Sequence, residues 1–150
     1  MQIFESHYIL NEKDLDQFEE EKTIRLPLEY RKFLLMNNGG KPFPSDVKYE
    51  AEYFNNVSFF YGIRSDMYSD DLSRIMKEYK SLILPHYLPI AESAGGDLYC
   101  LHINVDNHAA VYLWDHETAN YSGEPYEENM TKLASSLTEF LAGLYQEVNT

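Results

Sequence analysis

The sequence predicts an α+β fold: an antiparallel sheet built mainly from residues 47–117, with helices from both ends of the chain. Three observations lead there. Capping residues followed by apolar residues at helical spacing mark helices near 11–22, 27–37 and 136–147. The stretch from Leu98 to Glu117 alternates as a hairpin does. Ahead of it, Leu88-Pro89-Ile90-Ala91-Glu92-Ser93 reads as a strand that a tight turn at Gly95-Gly96-Asp97 joins to the next.

The first helix starts at Asn11, a good capping residue, with Asp14 three positions on and Leu15 and Phe18 facing inward. Its remaining residues, Glu12, Asp16, Glu19, Glu20 and Glu21, place one charge sign on the solvated side. Like charges at i, i+4, such as Glu12 and Asp16, destabilise a helix, so this crowding is either a tolerated accident or a surface meant for a partner. The second helix opens at Pro27, whose missing N–H costs nothing in the first turn. Leu28, Phe33, Leu34 and Leu35 form its apolar stripe, with Tyr30 in its second turn. Asn37, Asn38, Gly39 and Gly40 stop it and redirect the chain, Gly39 by taking the left-handed conformation.

Pro42 and Pro44 make Lys41-Pro42-Phe43-Pro44-Ser45-Asp46 a loop. Val57-Ser58-Phe59-Phe60-Tyr61-Gly62-Ile63 is aromatic and β-branched, hence a strand. Ser69 or Asp70 caps a short helix through Leu72, Ile75, Met76 and Tyr79. In the next turn, Gly95 and Gly96 permit positive φ, and Asp97 suits bonding to backbone N–H groups two residues on. A hairpin turn at Asp106-Asn107 sets Tyr99 opposite Trp114 and Leu101 opposite Tyr112. In that register Leu98, Cys100, Val111 and Leu113 share one face, and Tyr99, Leu101, Ile103, Tyr112, Trp114 and His116 the other. A slip of one residue exchanges these partnerships. Ser136-Leu137-Thr138-Glu139 is a capping box that opens the last helix.

No internal repeat and no linker interrupts the chain, so residues 1–150 are read as one domain. Cys100 has no partner for an intramolecular disulfide, and Met1–His7 lacks the features of a secretory signal; both point to the reducing cytoplasm. The net charge of −13 disfavours nucleic acid and anionic membranes as partners and favours a basic one. The charge is uneven. No Lys or Arg falls between Lys80 and Lys132, whereas Glu92, Asp97, Asp106, Asp115, Glu117, Glu124, Glu127 and Glu128 all do.

No catalytic constellation emerges. His102, Asp106, His108, Asp115 and His116 crowd the hairpin, yet none has the spacing of a zinc site, and in the register above His102 and His116 face opposite ways. Cys100 reads as a small buried hydrophobe in mid-strand. Gly95-Gly96-Asp97 lacks the Lys and Ser/Thr of a phosphate loop. No catalytic residue, metal or cofactor is assigned. The 13 tyrosines exceed what a core of this size needs, because each buried hydroxyl wants a partner. If helices cover only one face of the sheet, Tyr99, Tyr112 and Trp114 form an aromatic patch with Glu92, Asp97, Asp115 and Glu117 at or near its rim. If segments 41–56 and 118–130 cover the other face, that patch is core; the sequence alone leaves both open.

Taken together and in order, Leu26-Pro27-Leu28-Glu29-Tyr30 with its Asn38-Gly39-Gly40 end, the strand before Gly95-Gly96-Asp97, and Ser136…Glu139-Phe140-Leu141 resemble the SUKH superfamily. That superfamily comprises single-domain bacterial immunity proteins related to yeast regulators of cell-wall synthesis. The resemblance implies a non-enzymatic protein that neutralises a cognate toxin by binding it; the net charge adds the expectation that this toxin is basic. An intracellular scaffold with a non-toxin partner is the alternative. Pro27, Tyr30, Asn38, Gly39, Gly40, Gly95 and Gly96 would then carry structure, and the residues of the aromatic and acidic patch would carry binding.

Overall fold

The computed structural model describes residues 1–50, 53–103 and 109–148. Strand β1 (Gln2–Phe4) leads to helices α1 (Glu12–Lys22) and α2 (Leu28–Met36). Strands β2 (Lys41–Phe43), β3 (Asp46–Glu50), β4 (Tyr53–Asn56) and β5 (Phe59–Phe60) follow, then helix α3 (Leu72–Glu78). Strands β6 (Tyr87–Glu92), β7 (Leu98–His102), β8 (Val111–Trp114) and β9 (Met130–Ala134) precede the last helix, α4 (Leu137–Ala142). The main sheet is antiparallel in the order β5-β6-β7-β8-β9. Two-stranded ladders β1-β2 and β3-β4 flank it, and a Gly40–Phe60 bridge links β2 to β5. The fold is α+β.

The capping box of α1 forms as its sequence predicts: Asn11 Oδ1 accepts from the Asp14 N–H and Asp14 Oδ2 from the Asn11 N–H, each at 2.9 Å. Asp71, rather than Ser69 or Asp70, caps α3, because residues 68–70 form a 3₁₀ turn of their own. Ser136 caps α4 through the Glu139 N–H, while the Glu139 carboxylate reaches the N–H of Ser135 instead of Ser136. This helix stops at Ala142, short of the expected 147, because the chain turns to bridge Tyr145 to Asp46 of β3.

Within the stretch Lys41–Asp46, expected as a loop, residues 41–43 form a strand and Asp46 opens β3. Pro42 is tolerated opposite Ile3 in a short two-stranded ladder, where a missing N–H costs little. Strand β9 had no alternating signal in the sequence.

Asn38 does more than end a helix. It is buried, its Oδ1 accepts the Ile63 N–H, and its Nδ2 donates to the carbonyls of Ile63 and Tyr8. One side chain thereby holds three stretches of backbone. Beside it Gly40 has φ 118°, and a Cβ there would lie 2.6 Å from the Phe4 carbonyl oxygen. Only glycine fits that crossing. Tyr30 is buried on α2 and stacks on Phe33.

The register of β7 and β8 differs from the expected one by a single residue: Leu98 faces Trp114, Tyr99 faces Leu113, Cys100 faces Tyr112 and Leu101 faces Val111. The expected turn at Asp106-Asn107 lies outside the described residues, as does His108. Tyr99, Leu101, Val111 and Leu113 therefore share the face covered by α2 and α4, where Phe33 meets Phe60 and Phe140 meets Tyr99. Leu98, Cys100, Tyr112 and Trp114 share the other face, and there Tyr79, at the end of α3, meets Trp114 edge-on at 5.4 Å. Both faces are apolar because both are covered.

Candidate partner interface

The turn between β6 and β7 is the first component of the site. The Ser93 N–H donates to the Asp97 carbonyl, and Ser93 Oγ accepts the Asp97 N–H at 3.0 Å. Gly96, with φ 101°, takes the conformation that closes the turn. Gly95 does not have positive φ, so the expectation holds for Gly96 alone. Nor does the Asp97 side chain act within the turn, because Ser93 already caps it. Asp97 Oδ1 instead accepts the backbone N–H of His116 and meets His116 Nδ1 at 2.6 Å, while Oδ2 accepts from Asn55 Nδ2. Asp97 thus ties the β6–β7 turn to β4 and to the end of β8. Spacing in the chain gave no hint of this, since its partners are 42 and 19 residues away.

The Asp97 hydrogen bond pushes the His116 pKa above its ordinary value, more than partial burial lowers it, and the charges of Asp97, Glu117 and Asp115 add to the rise. Ligand atoms of Asp97, Asp115 and His116 lie within 4.8 Å of one another. Each carboxylate is already engaged: Asp115 accepts from the Glu117 N–H and the Thr118 hydroxyl, which folds the turn at 116–118. The trio works as a structural knot.

The structure does not bring the expected aromatic trio to the surface. Trp114 and Tyr99 are buried on opposite faces of the sheet, and only Tyr112 is half-exposed, against Tyr87. The Tyr99 hydroxyl points inward to the Asn56 carbonyl at 2.7 Å. Glu92 is half-buried and accepts the Tyr61 hydroxyl at 2.8 Å. Burial pushes the Cys100 thiol up and keeps it protonated, as suits a core side chain.

What the acidic end does present is the β8–β9 connection. The Tyr121 hydroxyl donates to the His116 carbonyl, Asn120 Nδ2 to the Glu124 carbonyl, and Asn129 Nδ2 to the Asp115 carbonyl. The loop thereby closes on itself and holds Glu117, Glu124, Glu128 and the 62 % exposed Tyr121 at the surface. Among the described residues, these three carboxylates join no ion pair; Glu127 meets His86 at 3.1 Å. Sequence reading missed Tyr121 as an exposed aromatic, although its neighbours Asn120, Ser122 and Gly123 mark a loop.

The chain that carries this Leu-Pro helix, Asn-Gly-Gly crossing and Gly-Gly-Asp turn matches, in sequence, the model of the SMI1 / KNR4 family (SUKH-1) over residues 9–143. The chain belongs to that family. It is also similar to the SPbeta prophage-derived uncharacterized protein YokK of Bacillus subtilis (strain 168), with 25% identity over 153 aligned positions covering 90% of this chain and 74% of that protein. Among the described residues of this SUKH-1 chain, no helix is long and apolar enough to cross a membrane.

Proposed function

We propose that this SUKH-1 chain is an immunity protein that neutralises a cognate toxin by direct, non-enzymatic binding in the cytoplasm, and that the toxin domain it meets is basic. One observation carries the basic partner: the cation-free stretch between Lys80 and Lys132 ends in a self-supported loop whose carboxylates at Glu117, Glu124 and Glu128 are exposed and, among the described residues, join no ion pair. Such a field raises encounter rates with a positive partner and sets their salt dependence. Asp97 and Asp115 stiffen the same end and add to its field, with Glu92 behind them. The aromatic contact comes from Tyr121 at the surface, since Trp114 and Tyr99 belong to the core. Family membership and the prophage-derived relative support the immunity role.

The test is co-expression with a toxin-like domain encoded in the neighbouring reading frame. The proposal expects rescued growth and a co-purifying complex that weakens with salt. A complex that forms without rescue favours a scaffold; absence of both contradicts the proposal.

A further inference from the structure

A cleft of about 510 Å³ opens on the side of the molecule where β3, β4 and the C-terminal segment meet, within the ~300–1,000 Å³ of small-ligand sites. Its walls are mostly apolar. Phe54 on β4 is 58 % exposed there, and Tyr145 stands among the other lining residues. Tyr145 is fixed to β3 by paired backbone bonds with Asp46, at 2.8 and 3.1 Å. The charged groups in the lining are carboxylates, Asp46 and Glu147. Asp46 accepts the Glu147 N–H at 2.7 Å, which brings the two acids to one edge. The wall beside them is stiff: Asn56 Oδ1 accepts the Ala94 N–H at 3.0 Å, and Asn55 Nδ2 donates to Asp97. The Asn55–Asp97 bond links this wall to the β6–β7 turn described above.

Phe54 already attracts a cation. Lys48 Nζ lies 5.4 Å from its ring centroid, although Lys48 does not line the cleft. An exposed ring flanked by carboxylates, with apolar walls for an aliphatic stem, suits a long basic side chain. Arginine fits better than lysine, because its planar guanidinium stacks on a ring and offers a fork to a carboxylate.

We propose that this cleft receives an arginine side chain of the basic partner, with the guanidinium on Phe54 and the Asp46 and Glu147 carboxylates. This rests on the reading of a basic protein partner and adds the pocket that would anchor it. Lys48 then acts as an intramolecular rival for the Phe54 ring.

The test uses the whole protein, ¹⁵N-labelled, titrated with N-acetyl-arginine amide and, for comparison, with the lysine and glutamine amides. The proposal expects saturable shifts at Phe54, Asn55, Asn56, Ala94 and Glu147, strongest with the arginine probe. Phe54→Ala and Glu147→Gln, both changes of exposed side chains, should each weaken binding about two- to fivefold. Lys48→Ala should tighten it more than Lys132→Ala, which removes the same charge from β9. Shifts confined to Glu117, Glu124 and Glu128, equal response to the glutamine amide, or equal tightening in the two lysine variants would overturn the assignment. Failure here is separable from failure of the partner reading. A basic toxin domain that binds the parent and Phe54→Ala equally sinks the cleft alone. An arginine probe that fills the cleft while no basic domain binds sinks the partner alone.

Discussion

Two parts of this chain are rich in acids, and the fold treats them in opposite ways. On α1, Glu12, Asp16 and Glu19 converge on the guanidinium of Arg31 from α2, at 2.5, 2.9 and 2.5 Å. Asp14 pairs with Arg64 at 3.1 Å, and the second oxygen of Glu19 takes the Leu26 N–H. The like-charge crowding that should weaken the helix is thereby turned into the joint between α1 and α2. At the β8–β9 end, no arginine or lysine arrives from within the segment, and among the described residues Glu117, Glu124 and Glu128 join no ion pair. Acidic sequence is therefore not equivalent to acidic surface. What distinguishes the two regions is where the arginines lie.

The largest expected effect concerns which aromatics stand behind the open end. Trp114→Ala should cost about 3–5 kcal/mol, the range for emptying a large core site, because the ring is buried against Tyr79. Chemical denaturation measures it. A loss under about 1 kcal/mol would return Trp114 to the surface and blur the contrast between core and interface.

Next comes Arg31→Ala, which should cost about 2 kcal/mol, less than a fully buried pair because Glu12 and Asp16 remain largely in water. It should also leave α1 with uncompensated repulsion. Arg31→Lys should recover part of the loss, since an ammonium cannot fork to several carboxylates. Unchanged thermal midpoints in both variants would mean that α1 is as open as the β8–β9 loop.

The smallest effect is that of pH at the Asp97–His116 contact. Because the folded His116 pKa is raised, its stabilisation is fully present below the ordinary value of about 6.5 and is lost as pH rises through the folded value. The His116 side chain is more than a third exposed, so solvent screening keeps the contribution under about 1 kcal/mol. The difference in thermal midpoint between parent and His116→Asn should be larger near pH 6 than near pH 8.5. A difference that grows toward high pH would contradict the geometry.

Much of the scaffold was legible because local chemistry decides it. Asn11 with Asp14, Ser136 with Glu139, and Gly96 act within a few residues of one another. The hairpin register was not, because Leu98 through Leu101 and Val111 through Trp114 are buried or half-buried on both faces, so alternation gave no polar side to fix it. That one-residue slip moved Tyr99 to the face opposite Trp114, and the cover on both faces, which buries Tyr99 and Trp114 alike, removed the aromatic patch. The acidic half of the candidate site, Asp97, Asp115 and Glu117, was read from composition. The role of Asp97 as a tie between strands and the shelter that Arg31 gives α1 depend on contacts far apart in sequence.

The contrast between the two acidic regions is tested most directly by association kinetics with the cognate basic domain at two ionic strengths. Neutralising Glu117, Glu124 and Glu128 together to Gln should slow association about tenfold at low salt, with the loss shrinking as salt rises. Neutralising Glu12 and Asp16 to Gln and Asn should lower stability and leave the association rate near that of the parent. Equal slowing by the two sets, or none by the loop set, would contradict the claim that the fold reserves one acidic region for itself and the other for a partner.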